Sequence, residues 1–364
     1  MSFNRREFAV RIPALAVGAA AMLEPLFAEE DTAAGGVDRE FVDIRSEDKV
    51  PTWGLLYRPK GKKPKTAAIV MHPRASMADH FLTGAELTAE EQLALLDRAI
   101  ELKADRLSSR ALEGRSVALL FEKPSMRTRV SFDVGVTELG GHPVSLLHGE
   151  VQMGQRESPR DIALVLSRMV HAIGVRTGPD ELLEELAEYA SVPVINMLSR
   201  DHHPCQALAD LLTLKERFGR LEGLKLAYLG DGNNMARSLL VAGGIAGMEV
   251  AIASPPELSL PEAPGVSPEE AVVGAHALYT DVWVSMGDDA DPARRRELLE
   301  PYRIDANLLA RARDDAVVLH CLPAHPGEEI TEDVLYGERS AAWDQAENRL
   351  HAQKALLELL LSAQ

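Results

Sequence analysis

Cysteine is nearly absent from this 364-residue chain, which contains only Cys205 and Cys321. The two residues lie far apart and outside any C-x-x-C spacing, so they can build neither a disulfide framework nor a structural zinc site. A long uninterrupted apolar run is also lacking. The apolar stretch near the N-terminus, residues 12–27, is short and contains Glu24 and Pro25, which argues against a stable membrane span.

Basic residues are in deficit, because 39 Lys and Arg face 56 Asp and Glu. A nucleic-acid partner requires a net basic footprint, so this balance argues against one. An anionic small substrate is compatible with the composition, provided that arginines gather locally. The length and the hydrophobic fraction of 46% predict a globular protein with two ordinary domains and a sizeable core.

Residues 1–78 predict an N-terminal extension. Asn4-Arg5-Arg6-Glu7-Phe8 and the apolar run after it resemble a twin-arginine export signal over residues 1–28, and a disordered or helical extension is the alternative. Residues 29–40 predict a linker, and residues 41–80 resemble the first strands of an α/β-hydrolase. The chain contains no G-x-S-x-G nucleophile elbow, so we predict a strand-rich appendage without hydrolase chemistry.

From residue 82 onward, short apolar strands alternate with amphipathic helices. This alternation predicts βα units in an α/β fold, with two doubly wound parallel-sheet domains and ligands at the carboxyl ends of the strands. The predicted strands are residues 116–121, 144–147, 172–175 and 192–195 in the first series and 225–229, 250–253, 278–282 and 317–319 in the second.

The predicted helices cover residues 89–107, 127–139, 159–170, 181–189, 205–218 and 346–361. The polar stretch 215–223 marks a domain junction. We therefore predict a first domain at 79–218, a second at 219–345, and a C-terminal helical segment, 346–364, that packs back on the first domain.

One motif follows a predicted strand and opens a helix: Phe121-Glu122-Lys123-Pro124-Ser125-Met126-Arg127-Thr128-Arg129. Hydroxyl groups, free backbone N–H groups and an arginine converge there, which is a physical recipe for binding phosphate or another dianion. The arginine dominates, because each charge-assisted hydrogen bond contributes roughly 1.5–3 kcal/mol, against ~0.3–1 kcal/mol from the helix end. The structural alternative makes Ser125 an N-cap and the arginines a solvated face.

This run resembles the carbamoyl-phosphate loop of the aspartate and ornithine carbamoyltransferases, whose core is Ser-Thr-Arg-Thr, with Met126 at the second position. Four further segments resemble the same family in the same order: His203-Pro204-Cys205-Gln206, Gly230-Asp231-Gly232-Asn233-Asn234, Asp281-Val282-Trp283-Val284-Ser285-Met286-Gly287 and His320-Cys321-Leu322-Pro323. The likeness extends from about residue 79 to the C-terminus, so the chain is identified as a member of this family.

The resemblance assigns roles to individual residues. It implies carbamoyl-phosphate contacts from Ser125, Met126, Arg127, Thr128, Gln152, Arg176, His203, Pro204, Cys205, Gln206 and Arg349. It implies ornithine contacts from Asn234, Asp281, Ser285, Met286, Cys321 and Leu322. The catalytic residues are then expected to be Arg127, His203, Gln206, Asp281 and Cys321.

The chemistry of these side chains fits that assignment. A carbonyl attacked by an amine develops negative charge on its oxygen, and an imidazole N–H with an arginine would form an oxyanion hole there. The motif gives this role to His203 and implies no catalytic role for His202. An aspartate-specific enzyme would need cationic groups for a second carboxylate, so Asp281 favours a diamine-type substrate.

The implied reaction is direct transfer of the carbamoyl group from carbamoyl phosphate to the side-chain amine of L-ornithine. It gives L-citrulline and phosphate, as in arginine biosynthesis, and it requires no cofactor and no metal. The alternatives are a putrescine or N-acylornithine carbamoyltransferase, or an inactive ligand-binding relative. The family further implies a homotrimer, and carbamoyl phosphate, a labile intracellular metabolite, favours the cytoplasm in spite of the export-like segment.

One departure from the family lies between residues 256 and 265, where the chain is shorter by about one helix and one strand. In a sheet of order 3-2-1-4-5 this removes an edge strand. We therefore expect a retained fold with a weakened ornithine-binding domain.

Overall fold

A computed structural model of the chain describes residues 37–45, 51–59, 68–72, 80–263, 265–284 and 291–362. Contacts divide the chain into two units, Met1–Met77 and Ala78–Gln364. The first unit contains an antiparallel sheet of three successive strands, which are β1 (Val37–Arg45), β2 (Pro51–Pro59) and β3 (Ala68–His72). The export-like signal at residues 1–28 lies outside the described residues.

The second unit contains two parallel four-stranded sheets, which confirms the predicted fold class. The first sheet consists of β4 (Ser116–Phe121), β5 (His142–Leu147), β6 (Ala172–Arg176) and β7 (Val194–Leu198), in the order β5-β4-β6-β7. Every residue of β4 after Ser116 is buried, which is typical of a parallel strand whose sheet is covered by helices on both faces.

The helices around the first sheet begin at local sequence signals. Thr88 and Glu91 form a capping box, and Ser158 caps a helix that has proline at its first position. The helices are α1 (Ala89–Ala104), α2 (Met126–Glu138), α3 (His148–Val151), α4 (Pro159–Leu166), α5 (Asp180–Tyr189) and α6 (Pro204–Phe218). The predicted extension of α4 to residue 170 is wrong, because Arg168 and Met169 donate backbone hydrogen bonds to Val165 and Leu166 in a tighter turn.

The second sheet consists of β8 (Lys225–Leu229), β9 (Glu249–Ala253), β10 (Ala277–Thr280) and β11 (Val317–His320), in the order β11-β10-β8-β9. This is the order left when the third strand is removed from a 3-2-1-4-5 sheet, and it makes β9 an edge strand. The helices here are α7 (Asn234–Ile245), α8 (Pro268–Val272), α9 (Pro292–Leu299), α10 (Ala306–Leu309) and α11 (Glu332–Leu335). Because β10 ends at Thr280, Asp281 follows the strand, whereas the sequence predicted a strand to residue 282.

The last helix, α12 (Ala342–Ser362), packs against α1, α2 and α6, which also cover the first sheet. It begins at Ala342 rather than at the predicted residue 346. The polar residues of its first turns concealed this start, since Gln345 and Asn348 are fully buried and hydrogen-bonded to α6. In this way α12 brings Arg349 to the N-terminus of α2.

None of the helices in the described part of the chain combines the length and the apolar character that a membrane span requires.

Candidate active site

The predicted anion-binding motif lies where β4 ends and α2 begins. Ser125 is the N-cap of α2, and its hydroxyl accepts a hydrogen bond from the backbone N–H of Thr128 at 3.3 Å. Met126 points into solvent with 71% of its surface exposed, whereas Thr128 is fully buried. The side chain of Met126 therefore leaves the backbone N–H groups of the first turn available to an anion.

Three arginines converge on this helix end from three different elements: Arg127 on α2, Arg176 at the end of β6 and Arg349 on α12. Burial, and then the charges of Arg349 and Arg127, lower the pKa of Arg176 to about 10. The guanidinium of Arg349 donates to the hydroxyl of Thr128. The buried Nε atoms of Arg176 and Arg349 have no hydrogen-bond partner among the described residues. Mutually repelling, unsatisfied cations are what an anion-binding site presents before its ligand arrives.

His203 lies beside the same arginines, immediately before α6. Burial, then Arg349 and Arg176, lower the pKa of its imidazole well below 6.5. The ring is therefore neutral near pH 7, and its Nδ1 atom is buried without a partner in the part of the chain that the structure describes. The backbone N–H of His203 donates to Ser238 Oγ on α7 at 2.7 Å, which connects this loop to the second sheet. Neighbouring His202 instead contacts Asp180 at 3.1 Å.

The rest of this motif opens α6. Pro204 occupies the first turn, where its missing N–H costs nothing. Cys205 donates from Sγ to the carbonyl of Asn196 at 3.3 Å, and burial raises the pKa of its thiol to about 12. Gln206 donates from Nε2 to Asp210 at 2.8 Å, while its Oε1 atom is buried and, within the described ranges, unpaired. Thus Cys205 is a packed thiol here, and Gln206 presents a free acceptor.

A carboxylate and a thiol follow adjacent strands of the second sheet. Asp281 follows β10, Cys321 follows β11, and Cys321 Sγ donates to Asp281 Oδ1 at 2.9 Å. Burial, and then the charge of Asp281, raise the pKa of the Cys321 thiol well above its usual value. The thiol is therefore protonated at neutral pH and serves as a donor. The charge of Asp281 acts to raise the pKa of Arg176, so this pair lies close to the arginine cluster.

Two asparagines follow β8, and they bind different partners. Asn233 is the N-cap of α7, and its Nδ2 atom donates to Asp281 Oδ2 at 2.9 Å. Asn234, the predicted substrate contact, donates to the carbonyl of Ser199 at 2.8 Å. An asparagine that follows a strand and precedes an apolar helical segment is an N-cap signal that identifies Asn233.

Leu322 has a left-handed backbone with φ of 58°, and its N–H donates to His320 Nδ1 at 2.9 Å. This turn directs the chain after β11 out of the sheet next to Cys321. A non-glycine residue at such an angle is a strained backbone position.

Gln152 also has a positive φ, of 52°. It lies in the loop after α3, where its carbonyl accepts the N–H groups of Gln155 and Arg156. The predicted contacts Ser285 and Met286 lie outside the described residues.

One cluster has the composition of a metal site. Ligand atoms of His325, Glu328 and Glu329 lie within 4.8 Å of one another. Glu328, however, pairs with Arg296 at 3.1 Å, and Glu329 accepts from the backbone N–H of His325 and contacts His320 at 3.2 Å. These contacts give the cluster a structural function in the loop after β11.

Comparisons with known proteins agree with this geometry. The carbamoyl-P binding domain of the aspartate/ornithine carbamoyltransferases matches residues 79–216, and the Asp/Orn binding domain matches residues 263–360. An ornithine carbamoyltransferase of Acidothermus cellulolyticus is 53% identical over 305 residues, covering 79% of this chain and 98% of that protein. One from Methanoculleus marisnigri is 48% identical over 302 residues, covering 79% and 98%.

Solved structures agree as well. The ornithine carbamoyltransferase of Pyrococcus furiosus superposes with a TM-score of 0.75 at 42% identity, covering 80% of this chain and 99% of that one. The enzyme of Thermus thermophilus gives a TM-score of 0.73 at 46% identity, with coverage of 78% and 99%.

Proposed function

Because the chain belongs to the aspartate/ornithine carbamoyltransferase family, we propose that it transfers the carbamoyl group of carbamoyl phosphate to the side-chain amine of L-ornithine. The products are L-citrulline and phosphate, the chemistry of an arginine-biosynthetic step. The observation that carries this proposal is the arginine cluster, Arg127, Arg176 and Arg349, facing the Cys321–Asp281 pair. An anion site and an amine site thus adjoin each other.

The phosphate end of carbamoyl phosphate is held at the N-terminus of α2. Ser125 and Thr128 supply hydroxyl groups and backbone N–H groups, and Arg127 and Arg349 supply charge. Each charge-assisted hydrogen bond contributes roughly 1.5–3 kcal/mol, so the arginines provide most of the affinity. Binding also relieves the repulsion among the arginines, and it therefore stabilises the folded protein.

The carbamoyl carbonyl is polarised by Arg127, Thr128, Arg176 and His203. These groups are held in place before the substrate arrives, so they stabilise the developing oxyanion without reorganisation. Because its pKa is depressed, His203 acts as a neutral N–H donor. Gln206 accepts a hydrogen bond from the carbamoyl NH2 group through its unpaired oxygen.

The amine of ornithine approaches from the side of Cys321, Leu322 and Asp281. An ammonium with the lysine-like pKa of ~10.4 must lose a proton before it attacks. Because the Cys321 thiol stays protonated, the thiol orients the amine and Asp281 provides the adjacent negative charge. Asn234 and, by resemblance, Ser285 and Met286 hold the amino-acid end.

Attack by the neutral amine forms the new C–N bond and a tetrahedral species. Its collapse breaks the C–O bond to phosphate, and the departing phosphate takes up the proton that the nitrogen loses. Closure of the two domains around both substrates would exclude water from the labile carbamoyl group.

We place the domain boundaries of this enzyme at 79–218 and 219–345, with the C-terminal segment serving the first domain. The assembly is a homotrimer. The resemblance to the family supports this assembly. Cytoplasmic localisation follows from the lability of carbamoyl phosphate.

The experiment that tests this proposal measures product formation with L-ornithine, putrescine and an N-acylornithine in parallel. Citrulline from ornithine at the highest kcat/KM supports the proposal. Turnover of putrescine alone would instead identify the chain as a putrescine carbamoyltransferase, whose substrate has no carboxylate.

A further inference from the structure

A buried carboxylate lies one helical turn behind Gln206. Asp210 on α6 is fully buried, and burial raises its pKa to about 7, although hydrogen bonds from Gln206 and Gln345 oppose that rise. Its Oδ2 atom has no hydrogen-bond partner in the described part of the chain. A buried, incompletely satisfied carboxylate disfavours folding relative to an apolar residue of the same size. Stability therefore does not account for this side chain.

The contact between Asp210 and Gln206 fixes the orientation of an amide. Gln206 turns its Nε2 atom towards Asp210 Oδ1, at 2.8 Å. Oδ1 accepts this hydrogen bond from the ionised carboxylate and also from a carboxyl that is protonated on Oδ2, the form that a pKa of about 7 populates near neutral pH. The reverse orientation would bring two oxygen atoms into contact. The Gln206 oxygen consequently faces away from Asp210, buried and unpaired among the described residues. It is an acceptor prepared for a donor that the described residues do not supply.

The same carboxylate oxygen accepts a second hydrogen bond from the opposite direction. Gln345 on α12 donates from Nε2 to Asp210 Oδ1 at 2.7 Å and approaches the Tyr279 hydroxyl on β10 at 3.2 Å. The Gln345 oxygen accepts the N–H of His320 at 2.8 Å, and His320 is the residue before Cys321. A buried chain of hydrogen bonds thus leads from Gln206 to the end of β11.

We infer that Asp210 is a positioning residue for the carbamoyl group. It holds the Gln206 amide with its oxygen towards the carbamoyl NH2 group and, through Gln345, fixes that amide relative to the strand that precedes Cys321. This inference rests on the proposed function, because the donor that Gln206 awaits is the NH2 group of carbamoyl phosphate. Asp210 touches neither substrate and acts through Gln206.

The first test compares three variants of the full chain. Asp210→Leu removes the acceptor, and we expect kcat/KM for carbamoyl phosphate to fall about 10²-fold, the usual cost of a misplaced group. Asp210→Asn keeps an oxygen at the Oδ1 position and is expected to stay within about tenfold of wild type. Thr213→Val is the matched control, because Thr213 accepts from Asn348 at 3.0 Å one turn further along the same two helices. It should keep wild-type kinetics.

Inhibition by inorganic phosphate separates positioning from general damage. Phosphate binds at α2, so its inhibition constant should remain within about twofold in all three variants if only the carbamoyl group is misplaced. A rise in that constant parallel to the loss of kcat/KM would overturn the inference. Wild-type kinetics in Asp210→Leu would overturn it as well.

A second test exchanges the two functional groups and does not depend on the folding of Asp210→Leu. Gln206→Glu places two carboxylates against each other and should lose activity. Adding Asp210→Asn restores a donor opposite the new carboxylate, and we expect a recovery of about tenfold, within the range for residues in contact. No recovery in the double variant would contradict a role that operates through Gln206. An inactive wild-type chain would instead refute the proposed function before any variant is compared.

Discussion

The Sγ atom of Cys321 donates a hydrogen bond to Oδ1 of Asp281 over 2.9 Å. The two residues follow neighbouring parallel strands, β11 and β10, whose carboxyl ends meet at one edge of the second sheet. Burial and the adjacent carboxylate keep the thiol protonated. The pair is therefore a donor–acceptor unit in which the protonated thiol donates to the carboxylate.

Replacing Cys321 should distinguish hydrogen bonding from packing. Cys321→Ala removes the donor to Asp281, and we expect the KM for ornithine to rise roughly tenfold, the equivalent of one hydrogen bond to a charged group. Cys321→Ser retains a donor and should stay within about threefold of wild type. Steady-state kinetics with varied ornithine measure both. Equal losses in the two variants would show that the volume of the sulfur matters rather than its hydrogen bond.

Arg176→Met should separate stability from ligand binding. Burial and the neighbouring arginines lower the pKa of Arg176, so its charged form is disfavoured in the unliganded fold. Without ligand, we expect the variant to melt at a higher temperature than wild type, and carbamoyl phosphate should no longer raise that temperature.

Thermal unfolding with and without carbamoyl phosphate provides the measurement. Arg313→Met is the control, because Arg313 is exposed and pairs with nearby Asp315 at 2.8 Å. It should leave both quantities unchanged. A variant of Arg176 that melts earlier and still responds to the ligand would refute the arginine cluster as an anion site.

Met126→Thr should have little effect on carbamoyl-phosphate binding. The Met126 side chain is exposed to solvent, and the backbone N–H groups of the first turn are present with either residue. We expect a KM for carbamoyl phosphate within about twofold of wild type, since no buried hydrogen bond is gained. Ser125→Ala is the contrasting variant, because losing the N-cap alone costs ~1 kcal/mol. A large improvement in Met126→Thr would show that a hydroxyl at this position binds phosphate.

The depressed pKa of His203 predicts a dependence of stability on pH. In the unfolded chain the imidazole binds a proton near 6.5, whereas in the folded chain it stays neutral well below that value. The unfolded state thus gains protons as pH falls below about 6.5, and the free energy of unfolding decreases there. The free energy of unfolding of His203→Asn should decrease less as the pH falls. Its slope against pH should be shallower than that of wild type by up to ~1.4 kcal/mol per pH unit.

Urea unfolding of both proteins between about pH 7.5 and 5.5 measures this difference. Comparing the variant with wild type cancels the contributions of the other histidines. Parallel pH dependences in the two proteins would mean that His203 titrates normally in the fold.

The reduced second sheet predicts low stability for the ornithine-binding domain. Losing an edge strand removes buried area while β8, β10 and β11 keep their order, so the carboxyl ends that carry the site remain aligned. Calorimetry should resolve an early transition that a bisubstrate analogue shifts upward. One sharp transition, far above the ~45–65 °C of ordinary mesophile domains, would contradict the weakening.

The central strands β4 and β8 could be predicted from the sequence because nearly all of their residues are apolar and buried. The bounds of β4 and β8 coincide with the predicted ones, since buried parallel strands leave an uninterrupted apolar signal. The start of α12 could not be predicted in the same way. Gln345 is polar, yet it is buried by a hydrogen bond to Asp210 on another helix, and such a partner is invisible in local periodicity.

The residues of the site also differ in whether they could be predicted from the sequence. Residues in contiguous motifs, such as Ser125 and Thr128, could be assigned from local spacing and resemblance. Asp210 could not, because an aspartate on a helix is ordinarily a solvated residue, whereas here it is buried beside Gln345 of α12 and Tyr279 of β10. Asn233 was overlooked for a different reason, since its N-cap signal was present but its bond to Asp281 depends on the order of the strands.

The most direct test of carbamoyl transfer to ornithine follows the carbamoyl carbon itself. Carbamoyl phosphate labelled at that carbon is mixed with L-ornithine and the purified full chain, and the products are observed by NMR. We predict that the label appears in the ureido group of citrulline, with one phosphate released for each citrulline formed. Bound carbamoyl phosphate that yields no citrulline, or releases phosphate without transferring its label to ornithine, would contradict it.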